Sequence, residues 1–318
     1  MSGTPVENRL MEYWSIFDFT NPGYLGNTSW FNEEYAKPIE INQDKKRLEK
    51  FRSITSPFIM RRVKTDKAVI SDLPDKIENT QFCNLTKEQA ALYKNITHDL
   101  MQEVENAEGI NRRGIILKLL TILKQVCNHP LQYLKNGNDV RPEQSGKMML
   151  LLQLLETIYE NGEKVLIFSQ YKEMGGLLRT VIHEHFGKKA LQLHGGNTRK
   201  ERDEMVRSFQ NNPLSNTFIL SLKAGGTGLN LTAGNHVIHY DLWWNPAVEA
   251  QATDRAFRIG QQKNVMVHRM ITKGTLEEKI DAMLRSKKQL ANLTVANGEK
   301  WIGELNDKDL KQLIALGE

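Results

Sequence analysis

Lys164-Val165-Leu166-Ile167-Phe168-Ser169 is a short, almost wholly apolar run, followed at once by Gln170 and then by an amphipathic stretch from Lys172 to Phe186. A run of this length without alternation reads as a strand buried on both faces. The same unit recurs on either side. Upstream, a helical pattern runs from Lys147 to Tyr159. Downstream, Ala190–His194 reads as a strand and Arg199–Phe209 as a helix, and Thr217–Leu222 is the next strand. His236–Tyr240 is a strand followed by a helix over Val248–Phe257, and Val265–Ile271 a strand followed by a helix over Leu276–Leu290. Short apolar strands alternating with amphipathic helices predict an α/β fold, a mostly parallel sheet covered on both faces.

The chain before Gly146 is organised differently. Asn21-Pro22-Gly23 marks a turn, and Trp30-Phe31 with Tyr35 predicts a packed helical segment. One helix is expected from Leu85-Thr86-Lys87, with Thr86 as N-cap. Another runs through Ile115–Leu123 and stops before Pro130, and Asn136–Ser145 reads as a linker. The predicted organisation is therefore residues 1–80, a helical insertion over 81–145, and the α/β unit over 146–318.

The bulk numbers bound the function classes. At 318 residues and 40% hydrophobic, the chain is long enough for two compact units with a sizeable core. No run of about 18 apolar residues occurs, so no membrane-spanning helix is expected, and Met1–Pro5 has no secretory pattern. Cys83 and Cys127 are too few for a disulfide framework and read as reduced thiols of an intracellular protein. Net charge is 43 − 38 = +5. Between Asp44 and Lys67 lie Lys45, Lys46, Arg47, Lys50, Arg52, Arg61, Arg62, Lys64 and Lys67; this is either a phosphate-binding patch or a solvated helix face.

In an open parallel sheet, ligands gather at the carboxyl ends of the strands. Those positions are occupied by Ser169-Gln170, His194-Gly195-Gly196, Lys223-Ala224-Gly225-Gly226-Thr227-Gly228 and Asp241-Leu242-Trp243-Trp244-Asn245-Pro246. Connection alone does not need so many glycines and polar groups. The spacing of Gln251, Arg255 and Arg258 is i, i+4, i+7, which puts all three on one helix face. Guanidinium groups fork onto planar oxyanions and stay charged, so such a face suits a phosphoryl group gathering charge; two solvated arginines are the alternative. The glycines of Gly225-Gly226-Thr227-Gly228 allow close backbone approach to an anion, with Lys223 beside them, and equally fit a tight turn. Neither this segment nor Ser145-Gly146-Lys147-Met148 is a Walker A loop, because no Gly-Lys-Ser/Thr occurs in either. The Trp243-Trp244 pair could stack on nucleic acid or be buried. His194, His236 and His239 lack metal-ligand spacing, and no metal site is expected.

Taken together and in order, these strings resemble the SWI/SNF family of superfamily-two, DNA-dependent ATPases. Gln251–Gln261 resembles the last helicase motif, Ser221–Leu231 with its continuation Asn235–Pro246 the fifth, Val165–Tyr171 the fourth, and Leu193–Gly196 with Thr198 the element after it. Ser2–Pro5 with Glu7–Leu10 resembles the third, and Ile59–Arg62 and Leu123–Pro130 resemble segments of the helical insertions. The resemblance implies a RecA-like three-layer α/β/α second lobe with an added helical protrusion, working on double-stranded DNA. It implies catalytic roles for Arg255, Arg258 and Gln251, acting on ATP and Mg2+ held mainly by the first lobe, with Gly226 and Gly228 also facing the nucleotide. It implies DNA contact or coupling at Ser169, Gln170, Gly195, Thr198, Lys223, Gly225, Thr227 and Trp244. The partners implied are duplex DNA and the first RecA-like lobe of the same parent chain, in a cytoplasmic nucleoid or a nucleus. The Walker A lysine and the magnesium-holding Asp-Glu pair are absent from these residues. The chain is thus expected to be an excised second lobe, inactive as an ATPase alone, with residues 1–80 the tail of lobe one and a helical protrusion, partly disordered, and the last helices of residues 146–318 a brace. The rival reading is a non-catalytic DNA-binding or protein-interaction module. A Rossmann-like transferase is excluded by the lack of an early G-x-G-x-x-G.

Overall fold

The computed structural model describes residues 10–40, 44–58, 73–135, 139–221, 228–290 and 305–317. The chain divides into two compact units, one holding the described residues 10–58 and the other residues 73–284 and 305–317.

In the first unit, α1 (Leu10–Thr20), α2 (Thr28–Phe31), α3 (Lys37–Glu40) and α4 (Lys45–Thr55) surround an aromatic core, with a π-helical turn over Asn32–Ala36 between α2 and α3. The core is Leu10, Phe17, Leu25, Phe31, Tyr35, Ala36, Ile39, Leu48 and Phe51. The rings of Phe31 and Tyr35 lie 5.7 and 5.5 Å from Phe51. Asn27 and Asp44 cap α2 and α4 by accepting from the Trp30 and Arg47 amides. Part of the basic patch is spent internally, since Arg47 pairs with Glu34. The described residues 10–58 are thus a packed helical cluster. Residues 1–9 and 59–72, with the third-motif strings and Ile59–Arg62, lie outside the described residues.

The second unit is built on β1 (Lys76–Cys83), β2 (Val165–Ser169), β3 (Leu191–Leu193), β4 (Thr217–Ser221), β5 (His236–His239) and β6 (Val265–Thr272), in spatial order β1-β6-β5-β2-β4-β3 and parallel throughout. β1 corrects the boundary placed at residue 80. It pairs along its whole length with β6, from Lys76–Val265 to Cys83–Thr272, so the helical insertion sits between two strands of one sheet. The insertion is α5 (Lys87–Glu105), α6 (Gly109–Asn128) and the short α7 (Pro130–Leu134). Thr86 caps α5 in a capping box with Gln89, as its sequence predicts. α8 (Gly146–Glu160), α9 (Lys172–Phe186), α10 (Arg199–Asn211), α11 (Pro246–Thr253), α12 (Leu276–Leu290) and α13 (Asp307–Ile314) complete the unit. The core joins Val165, Ile167, Ile219 and Ile238 of the sheet to Leu151, Leu155, Leu178 and Ile182 of α8 and α9. At the start of α8 the chain passes so close to Asn84 that a Cβ on Gly146 would sit 1.9 Å from the Asn84 carbonyl oxygen. Ser145-Gly146 is therefore a close-packing device.

Parallel register aligns the strand ends. Ser169 stands opposite Ser221 and Phe168 opposite His239, so the segments after β2, β3, β4 and β5 emerge on one edge.

Candidate functional site

That edge is organised around Asp241, the second residue after β5. Its Oδ1 accepts the Gln170 amide at 2.8 Å, and its Oδ2 accepts the Ser169 hydroxyl at 2.5 Å and the Asn128 side-chain amide at 3.3 Å. The next carbonyl, of Leu242, accepts Gln170 Nε2 at 2.6 Å and Lys124 Nζ at 2.5 Å. Burial pushes the Asp241 carboxyl up, while Lys124, the Ser169 hydroxyl and the Gln170 amide draw it back. Ser169 is 1% exposed and its hydroxyl is committed to Asp241, so its side chain supports the edge from within. Gln170 is half-buried at the surface. Trp244 is half-buried too, with the Lys124 ammonium 4.5 Å from its ring.

The two arginines come from a different local structure than their spacing predicts. α11 ends at Thr253, and residues 254–260 form consecutive turns. After Thr253 the regular ladder breaks: the Arg255 amide bonds the Ala252 carbonyl at 3.2 Å in place of that of Gln251, and the Arg255 carbonyl accepts the Leu231 amide at 3.0 Å. Gln251, Arg255 and Arg258 therefore do not share a regular helix face: Gln251 lies half-buried in the last turn of α11, and the arginines lie beyond it. Arg258 donates to the Leu229 carbonyl at 2.8 Å. Through these two bonds the turns pack on Gly228–Leu231, the tail of the glycine-rich segment. Gly228 has a φ of +106°, a conformation natural to glycine.

Arg255 is 7% exposed and stacks its guanidinium 5.8 Å above Phe168. Its Nη1 is buried with no hydrogen-bond partner among the described residues. Desolvation pulls its pKa down to about 10, with Arg202 and Arg258 adding repulsion, so the group remains a cation at neutral pH. A buried guanidinium with a vacant donor and cationic neighbours is chemically fitted to an oxyanion. Gly195 is exposed in the turn after β3, and Thr198 is the exposed N-cap of α10, its hydroxyl accepting the Glu201 amide at 3.3 Å. Lys223, Gly225, Gly226 and Thr227 lie outside the described residues.

His236, His239 and His268 are held within the fold. His239 Nε2 meets Thr253 Oγ1 at 2.9 Å, and burial pulls its pKa down to about 3. His236 stacks on His268 and meets Glu163 at 2.6 Å. Among the described residues, no group of three or more His, Cys, Asp or Glu side chains could hold a metal ion, and no helix is long and apolar enough to cross a membrane.

With this geometry, two family domains match the sequence: the SNF2-related domain over residues 1–132 and the helicase conserved C-terminal domain over residues 146–260. The SWI2/SNF2 ATPase C-terminal domain of Sulfolobus solfataricus is 40% identical, with a TM-score of 0.67 over 77% of this chain and 100% of that one. This chain belongs to the SWI2/SNF2 ATPase family. The Sulfolobus SWI2/SNF2 ATPase core in complex with double-stranded DNA is 44% identical with a TM-score of 0.70, covering 100% of this chain and 66% of that chain. YwqA of Bacillus subtilis, named as a candidate ATP-dependent helicase/translocase, is 48% identical over 99% of this chain and 34% of its own length. Mouse DNA excision repair protein ERCC-6 is 34% identical over 99% of this chain and 23% of its own. The chain thus spans about a third or less of these curated relatives.

Within this SWI2/SNF2 chain, sequence reading missed Lys124, Asn128, Lys147, Asp241 and Glu277 as a connected group. Lys147 Nζ donates to Asn128 Oδ1 at 3.1 Å and to Glu277 Oε1 at 2.6 Å, and Glu277 Oε2 accepts the Thr272 amide at 3.0 Å. The signal was present in Lys147, a cation inside the apolar helix Met148-Met149-Leu150-Leu151-Leu152. Charges in such a setting are almost always paired.

Proposed function

We propose that the chain is the second motor lobe of an ATP-dependent translocase on double-stranded DNA. In this reading Arg255 and Arg258 reach the γ-phosphate of ATP held by another lobe, and the edge formed by Gln170, Gly195, Thr198 and Trp244 follows the duplex, with Lys223 as a phosphate contact. The observation that carries it is Arg255, a cation held in a buried position at the strand-end edge with Nη1 unpartnered among the described residues. A buried donor left vacant is costly unless a ligand completes it. ATP bound across from the arginines would supply the phosphoryl oxygens; Mg2+ would come with it from the other lobe. The arginines neutralise charge as it gathers on the transferring group, and Phe168 beneath Arg255 and the Leu229 carbonyl beside Arg258 hold them in place before the reaction. The family membership and the DNA-bound Sulfolobus relative support the DNA half of the reading.

The test is duplex binding by the chain across a salt series. Affinity is expected to fall steeply with salt, and Lys223→Ala is expected to weaken binding and flatten the slope by about one phosphate contact. Absence of duplex binding at low salt would overturn the DNA-tracking role. An unchanged slope in Lys223→Ala would remove that residue from it.

A further inference from the structure

Four buried ionisable side chains meet behind the DNA-facing edge: Lys124 at 3% exposure, Lys147 at 0%, Asp241 at 0% and Glu277 at 4%. Two cations face two carboxylates, so the group can be neutral as a whole, and Asn128 bridges it through Lys147 and Asp241. Burial works against the Lys147 ammonium, but the adjacent Glu277 carries its pKa above the ordinary lysine value. Burying four such groups is expensive, and well-packed apolar residues would serve stability as well or better. Their placement points to another role. Each comes from a different part of the chain: Lys124 and Asn128 from α6, Lys147 from α8, Asp241 from the turn after β5, Glu277 from α12. One end of this network reaches two residues of the edge, while its other end holds the Thr272 amide through Glu277. Asp241 and the Leu242 carbonyl together fix the backbone and side-chain amides of Gln170, and Lys124 backs the ring of Trp244.

We propose that Lys124, Asn128, Lys147 and Glu277 are positioning residues that set Gln170 and Trp244 for duplex DNA, so that the helical insertion between β1 and β2 fixes the geometry of the DNA-facing edge. This rests on the DNA-tracking reading above. None of the four touches DNA; they act by removing the freedom of residues that do. Support of this kind commonly governs affinity by an order of magnitude or more.

The experiment uses the chain with a short blunt-ended duplex as probe. Lys147→Met alone leaves Glu277 unpaired and is expected to impair folding, so the working variant is Lys147→Met with Glu277→Gln, which removes the ion pair without changing net charge. Lys124→Met is the second variant; it keeps the volume against Trp244 and deletes the bond to Leu242. Four quantities are read: thermal unfolding, duplex affinity, its salt slope, and hydrogen exchange at the Gln170 amide. Both variants are expected to unfold cooperatively, lose about tenfold in affinity, and keep the salt slope, because no phosphate-contacting cation is removed. The Gln170 amide is expected to exchange faster in the double variant. A purely structural role would lower the melting temperature and leave affinity within about twofold in the folded protein, and that result overturns the proposal. So does Gln170 protection that is unchanged in the double variant. If the unsubstituted chain binds no duplex, the failure belongs to the DNA-tracking reading and takes this proposal with it.

Discussion

Arg255 retains its charge at the cost of desolvation, and Arg258 is anchored by a carbonyl while Arg255 has a vacant donor. In a protein that also contains the ATP-holding lobe, Arg255→Ala or Arg258→Ala is expected to cut turnover by about 10³–10⁵-fold with duplex affinity nearly unchanged. Steady-state hydrolysis beside a binding titration checks this, and normal turnover with lost affinity would remove the catalytic assignment. Their spacing put both arginines on one helix face with Gln251, but the helix ends at Thr253, and the Arg255 carbonyl accepts from Leu231, 24 positions away, a contact no local pattern encodes. Gly146 makes the opposite case. Its sequence context invited comparison with a phosphate loop, yet the constraint is steric. Gly146→Ala would bring a methyl to 1.9 Å from the Asn84 carbonyl oxygen, backbone that cannot swing aside. A loss of more than about 3 kcal/mol is expected in denaturant unfolding. His239 adds a pH dependence. Its folded pKa, about 3, lies below the unfolded value, so the unfolded state binds the proton first. Its contribution to stability is present above about pH 6.5 and is lost as pH falls toward 3, by about 1.4 kcal/mol for each unit traversed. Unfolding free energies measured from pH 7 to 4 should fall with a slope that His239→Phe reduces.

At the scale of elements, the helices α5, α8, α9, α10 and α12 and the strands β2 to β6 were legible, and the edge strand β1 was not. β2 reads as a strand because all five residues are buried, and helix α9 was bounded where it is found, Lys172–Phe186. β1, Lys76-Ile77-Glu78-Asn79-Thr80-Gln81-Phe82-Cys83, carries polar residues along much of its length and has only one strand neighbour, so it lacks the apolar run that marks its interior counterparts. Its identity is set by β6. α13 shows which contacts matter between elements. It buries Leu310, Leu313 and Ile314, and it meets the α5–α6 pair through ion pairs open to solvent on at least one side, half-buried Arg112 with exposed Asp307 at 2.7 Å and Lys311 with Glu105 at 2.5 Å. Leu313→Ala is expected to cost about 2–4 kcal/mol and Arg112→Ala less than about 1 kcal/mol, because solvent screens the charges but not the lost packing. Equal costs in thermal unfolding would show that the ion pairs, and not the apolar face, hold α13.

At the scale of the whole molecule, the sequence carried the sheet class and the family, because the strand-end strings keep their order along the chain. It did not carry the buried charge group, whose members are scattered from Lys124 to Glu277 and converge only through the fold. The same view decides where catalysis can occur. The arginines stand at an edge that offers cations for a nucleotide and, in the 318 residues, no Gly-Lys-Ser/Thr loop to hold one. An arginine finger accelerates transfer only when a separate surface fixes the phosphates and the metal. The chain alone is therefore expected to hydrolyse ATP no faster than a buffer control, with or without duplex DNA. A separately expressed lobe that carries such a loop should restore DNA-stimulated hydrolysis, with a rate that rises with the concentration of either part. Arg258→Ala in this chain should then abolish the restored activity while the two parts still associate, as read by sedimentation. DNA-stimulated turnover by the purified chain, lost on Arg258→Ala, would instead mean that these residues hold the nucleotide themselves, and the assignment of the arginines in trans would fall.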